Sequence, residues 1–132
     1  MSISIKKLVG YAWAGPLTIC GAAYAAAFQL VGWYSWHGRI GDGFFWRVTP
    51  KSPGWLQKLW KNWGGHTIGN VVVLNCDPSK KTTTVDHELV HVRQCMRLGV
   101  FQPIVYVISS LGIYLGCEAS DPYWSNPFEI DA

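Results

Sequence analysis

Apolar positions along the chain fall into blocks separated by turn-rich or polar stretches. The first block, 5–31, predicts a helix with Pro16 as a point of kinking. Residues 33–50 mix aromatic side chains with glycine. There Gly41-Asp42-Gly43 predicts a hairpin turn, and 44–49 a strand leaving it. Pro50, Pro53, Gly54, Gly64 and Gly65 make 50–66 a loop, with a short helix over 56–60. The run 67–75 is β-branched and apolar and predicts one strand, closed by Asp77-Pro78-Ser79.

The next block predicts a helix over 83–98. Thr82, Thr83 and Thr84 offer N-caps, Thr83 and Asp86 have capping-box spacing, and Gly99 is a stop. At 100° per residue its faces separate. Val85, Leu89, Val92 and Met96 form a core stripe. Asp86, Arg93 and Arg97 form a solvated side, and His87, His91, Gln94 and Leu98 a third. Pro103 suits the first turn of another helix over 103–116. A polar loop through Glu118 and Asp121 follows. Asn126 and Pro127 then open a last helical segment over 126–132. The expected whole is a single α+β domain over 1–132, mainly helical, with a short sheet within 33–75.

Composition changes the picture in one respect. Charged residues make up 14% of the chain, against about 25% in an ordinary soluble domain. There are eight Trp, a residue favoured at half-wet, half-apolar boundaries. Neither 8–36 nor 98–117 contains a charged residue, and Lys6, Lys7, Arg93 and Arg97 stand just upstream. Three readings follow: helices inserted in or lying against a membrane, helices buried in a soluble core, or a cleaved leader ending near Ala23-Tyr24-Ala25. The first two share an expected place near membrane lipid with the third. The net charge of +3 is small and the basic residues are scattered, so nucleic acid is not an expected partner. Cys20, Cys76, Cys95 and Cys117 lie far apart without a CxxC pair and are expected to be buried free thiols.

The chemistry lies in His87-Glu88-Leu89-Val90-His91. Histidines four apart on a helix project side by side and can share one metal ion. Glu88, a quarter-turn away, is placed to take a proton from water as general base. The plain structural alternative is a helix whose histidines pair with nearby polar groups. A hydrolytic zinc site also needs a third ligand and an open position. Glu118, Asp121, Glu129 and Asp131 are the downstream candidates, and His37 and His66 lie upstream. Asn126 and Glu129 also have capping-box spacing. For stabilising charge on a scissile carbonyl the candidates are Tyr123, Tyr114, His66 and Arg93. Gln94 shares the histidine face.

Three stretches together resemble a family of small bacterial gluzincin-type metallopeptidases. They are His66-Thr67-Ile68-Gly69-Asn70-Val71-Val72-Val73-Leu74, His87-Glu88-Leu89-Val90-His91-Val92-Arg93-Gln94, and Asn126-Pro127-Phe128-Glu129-Ile130-Asp131-Ala132. The resemblance implies that His87, His91 and Glu129 hold Zn2+, with Glu88 as base and proton shuttle. Asp131 would orient a ligand histidine. The implied fold is a minimal zincin, with a short antiparallel sheet beside the HExxH helix whose edge strand receives a peptide or protein substrate. With the membrane location expected from composition, the bacterial resemblance makes the expected place a bacterial cell membrane. The chain departs from the family in having Asn70 where a histidine is expected. A function of another class, a non-catalytic zinc-stabilised scaffold, uses the same ligands for folding energy.

Overall fold

The computed structural model describes residues 3–62, 64–80 and 82–116. Eight main elements follow in order: α1 (Ile5–Leu30), β1 (Tyr34–Ile40), β2 (Gly43–Val48), α2 (Gly54–Asn62), β3 (Gly65–Ile68), β4 (Val71–Leu74), α3 (Thr82–Leu98) and α4 (Gln102–Gly116). Short 3-10 turns at Pro78–Lys80 and Gly99–Phe101 precede α3 and α4. Helices and a sheet in one arrangement make this an α+β fold.

The four strands form one sheet in the order β1-β2-β4-β3. It is mixed, not antiparallel as expected: β2 and β4 run parallel, with Phe45 opposite Val72, while the two flanking pairs are antiparallel. Parallel neighbours need a long connection, and α2 with β3 supplies it. The expected single strand over 67–75 is a hairpin. Gly69, at φ +63°, turns the chain back between β3 and β4. Gly-Asn with positive φ at the first position alone is the II′ pattern of two-residue hairpins. A Cβ at Gly69 would also collide with the Thr18 backbone, so α1 crosses directly over this turn.

Central β4 is buried along its whole length, which is why Val71-Val72-Val73-Leu74 reads as a continuous apolar run. Its side chains alternate between two cores. On one side Val71 and Val73 join Ala25, Tyr34, Trp46, Leu56 and Trp60, beneath α1 and α2. On the other Val72 and Leu74 join Phe45, Val85 and Val92, beneath α3. Each full burial of such a side chain stabilises by roughly 1.5–3 kcal/mol. Asn70 ties the layers together. Its backbone N–H donates to Thr18 Oγ1 at 3.0 Å and its Nδ2 to the Asp42 carbonyl at 2.8 Å.

α3 begins at Thr82, so Thr83 and Thr84 lie within its first turn and the expected Thr83–Asp86 box is not its cap. Gly99 ends it at φ +59°. The stripe of Val85, Leu89, Val92 and Met96 packs on the sheet as expected, and Asp86, Arg93 and Arg97 are exposed. Among the described thiols the expectation of burial holds for Cys95 alone. Cys95 is buried and pushed up to about 11 by that burial, Cys76 is half-buried, and Cys20 is exposed. Among the described residues no helix is long and apolar enough to cross a membrane. Cys117 and the loop and segment expected over 118–132 lie outside the described residues.

Candidate functional site

Two histidines, a buried carboxylate and an amide converge where α3 passes the sheet edge. One helical turn separates His87 from His91, and their rings meet nearly edge to face, centroids 4.9 Å apart. The two Nε2 atoms are 3.2 Å apart. His91 Nδ1 lies 2.9 Å from Gln94 Oε1. An amide oxygen accepts only, so Nδ1 carries the proton and Nε2 keeps its lone pair on the side facing His87. That lone pair lies within hydrogen-bond distance of His87 Nε2. Gln94 is buried and one turn further along the helix, which is why it can reach the far side of the His91 ring.

Glu88 is only 4% exposed. A buried carboxylate requires hydrogen bonds, and Thr67 Oγ1 donates to Glu88 Oε2 at 2.6 Å. Thr67 sits on edge strand β3, opposite Val72, on the α3 side of the sheet. Gly65, two residues back, faces the same way. A Cβ there would lie 3.1 Å from Glu88 Oε1 and 2.6 Å from Leu74 Cδ2. The absent side chain therefore leaves the room that the carboxylate occupies.

His66 lies elsewhere. It alternates with Thr67, so it faces the α1 side, stacked on Trp60 at 4.9 Å between centroids and near Tyr24 at 5.7 Å. Burial pushes its half-buried imidazole down to about 4, on the face of the sheet opposite to Thr67 and Glu88. Arg93 points to the solvated side of α3. His87, Glu88, His91 and Gln94 are thus brought together, and His66 and Arg93 are not. Glu118, Asp121, Tyr123, Glu129 and Asp131 lie outside the described residues, as does the side chain of Tyr114. Among the described residues no three His, Cys, Asp or Glu side chains form a metal-holding group.

The donor pair present fits a tetrahedral ion. Zinc–nitrogen bonds of about 2.0–2.1 Å at a tetrahedral angle place two nitrogens about 3.3–3.4 Å apart, close to the 3.2 Å between the Nε2 atoms. Thr67 and Gly65 are contributors that local sequence does not single out. The alternation of β3 assigns them one face, but which face meets α3 is a tertiary fact. Comparison with family models, with characterised proteins and with solved structures returns no match.

Proposed function

We propose that the chain is a zinc-dependent metallopeptidase of the gluzincin type, hydrolysing peptide bonds at or near a bacterial cell membrane. The observation that carries this reading is the approach of His87 Nε2 to His91 Nε2 at 3.2 Å, with Glu88 on the same turn. In this reading His87, His91 and Glu129 hold the ion. A bound zinc ion supplies Lewis acidity, which makes a water molecule acidic enough to lose its proton near neutral pH.

The chain's own residues do the rest. Gln94 holds the Nδ1–H of His91 and so fixes the ring and its tautomer. Thr67 holds Oε2 of Glu88 and so orients the carboxylate that accepts a proton from water and delivers it to the leaving amine. β3 is the sheet edge nearest α3 and has no strand on its outer side among the described residues. An extended peptide can add there as a further strand, held by main-chain hydrogen bonds.

The test is elemental analysis of protein purified without chelators, with peptide hydrolysis alongside. Near-stoichiometric zinc in the wild type, lost in His91→Ala and in Glu129→Ala, is the expected result. Activity should vanish in Glu88→Gln while its zinc remains. A wild type that holds no metal overturns the proposal. The burial of Glu88 favours one second reading, a non-catalytic zinc-stabilised scaffold. Zinc retained without hydrolysis of any peptide in the wild type would select it.

A further inference from the structure

The helix α1 packs Tyr24, Ala25 and Phe28 on the core and also turns large apolar side chains away from it. Its polar side chains point into the domain: Tyr11 donates to Asp42 Oδ1 at 2.6 Å, Thr18 Oγ1 lies 3.0 Å from Asn70 Oδ1, and Gln29 Oε1 accepts from Trp46 Nε1 at 2.8 Å. The outward side carries Ile5, Leu8, Val9, Trp13, Ile19 and Leu30, with Ile19 71% and Leu30 89% exposed. No charged residue stands between Leu8 and Leu30. α4 also turns apolar side chains outward. Ile104, Val105, Val107, Ile108 and Leu111 are exposed, with Val107 at 61% and Ile108 at 63%, while Gln102, Tyr106, Ser109 and Ser110 are half-buried. The two outward sides join where Trp13 meets Phe101, ring centroids 6.1 Å apart and both rings exposed.

A helix at a water boundary turns its polar side outward and its apolar side to the core. Both helices here carry large apolar side chains outward, and an apolar surface of this extent marks contact with a partner. A protein groove takes a narrow stripe at i, i+3, i+4 and i+7 with polar flanks. From Leu8 to Leu30 the outward side of α1 is instead free of charge, a length of about 35 Å. That requires a medium that is laterally continuous and accepts no charge, which a bilayer is. Lys6, exposed at the start of the helix, can extend its ammonium to lipid headgroups. The inward polar side chains also lower the average hydropathy of the helix. A helix of this kind lies along a membrane with one side immersed.

We infer that the outward sides of α1 and α4, joined at Trp13 and Phe101, form one surface that seats in a lipid bilayer, with α1 lying along it. The inference deepens the proposed membrane location and rests on it, and it does not depend on catalysis.

The experiment is flotation of the full chain with vesicles of phosphatidylcholine and phosphatidylglycerol. Wild type should float. Ile19→Asp combined with Ile108→Asp should float at least about tenfold less, since a carboxylate in the acyl region is strongly disfavoured. Thr82→Asp combined with Thr83→Asp brings the same charge to exposed polar positions and should float like wild type. Circular dichroism checks that each variant is folded. A second readout keeps the natural surface: an environment-sensitive fluorophore on Cys20, which is exposed on the outward side of α1, with Cys76→Ser, Cys95→Ala and Cys117→Ser. Its emission should shift to the blue when vesicles are added. If wild type floats and the folded aspartate variant floats equally, the surface is wrong and the location stands. If wild type stays in the buffer, surface and location fall together, and elution as a dimer would then make a second copy the occupant. An unshifted Cys20 label on floating protein also overturns the surface.

Discussion

The hydroxyl of Thr67 donates to Oε2 of Glu88 at 2.6 Å, so the outermost strand of the sheet holds the carboxylate of the HExxH helix. A hydrogen bond to a charged group contributes about 1.5–3 kcal/mol. If Glu88 is the base, its orientation depends on this contact. Thr67→Val should lower kcat about tenfold to a hundredfold with KM little changed, and should shift the acidic limb of the pH profile. Thr67→Ser keeps the hydroxyl and should recover most of the loss. A valine variant with the wild-type rate and pH profile would leave Thr67 a packing residue only.

Gln94 stands to His91 as Thr67 does to Glu88. Its oxygen, 2.9 Å from Nδ1, decides which ring nitrogen faces His87. Loss of a group that orients a ligand histidine typically weakens metal binding about 10–100-fold. Gln94→Leu should therefore show that loss in a competition titration with a zinc chelator, and Gln94→Glu, which still accepts from Nδ1, should not. Equal zinc affinity in the leucine variant and wild type would remove Gln94 from the site.

The three faces of α3 were legible because helical period depends only on local spacing. Val85 and Val92 reach the core, Arg93 and Arg97 reach water, and His87 and His91 stand together. Less legible was everything set by long-range pairing. The β-branched residues on both sides of Gly69 outweighed the glycine, so 67–75 read as one strand although Gly69-Asn70 is a turn pair. The parallel alignment of β2 with β4 joins residues far apart in sequence and leaves no local trace. His66 and Thr67 are neighbours in a strand that face opposite layers. Choosing between them required knowing which layer holds α3, and only the packing of Val72 and Leu74 against Val85 and Val92 supplies that.

Asn70, which stands where the resembled family has a histidine, is fully buried and bonded to α1 and to the β1–β2 turn. Asn70→Leu keeps its approximate volume and removes the side-chain partner of the Asp42 carbonyl and of Thr18. Thr18 Oγ1 keeps the Ala14 carbonyl and the Asn70 N–H, so one polar group is stranded, at a cost of roughly 1–3 kcal/mol. Urea unfolding should show that loss with an unchanged m value. Asn70→His should not rescue it, because an imidazole cannot reproduce both amide bonds in that space. A variant as stable as wild type would mean that this junction contributes nothing net.

His66 makes stability depend on pH in a definite direction. In the folded chain burial against Trp60 and Tyr24 pushes its imidazole down to about 4, whereas an unfolded chain has the ordinary value of about 6.5. Between those values the unfolded state binds the extra proton, so stability rises with pH through the window. The contribution is fully present above about pH 6.5 and is lost as pH falls toward 4. It amounts to about 2–3 kcal/mol once the ring's partial exposure is allowed for. His66→Phe keeps a flat aromatic ring on Trp60 and has no proton to gain. Denaturant midpoints measured from pH 7 to pH 4.5 should therefore fall more steeply for wild type than for His66→Phe. Equal slopes for the two would mean that the folded chain accepts the proton on His66 as readily as the unfolded chain does.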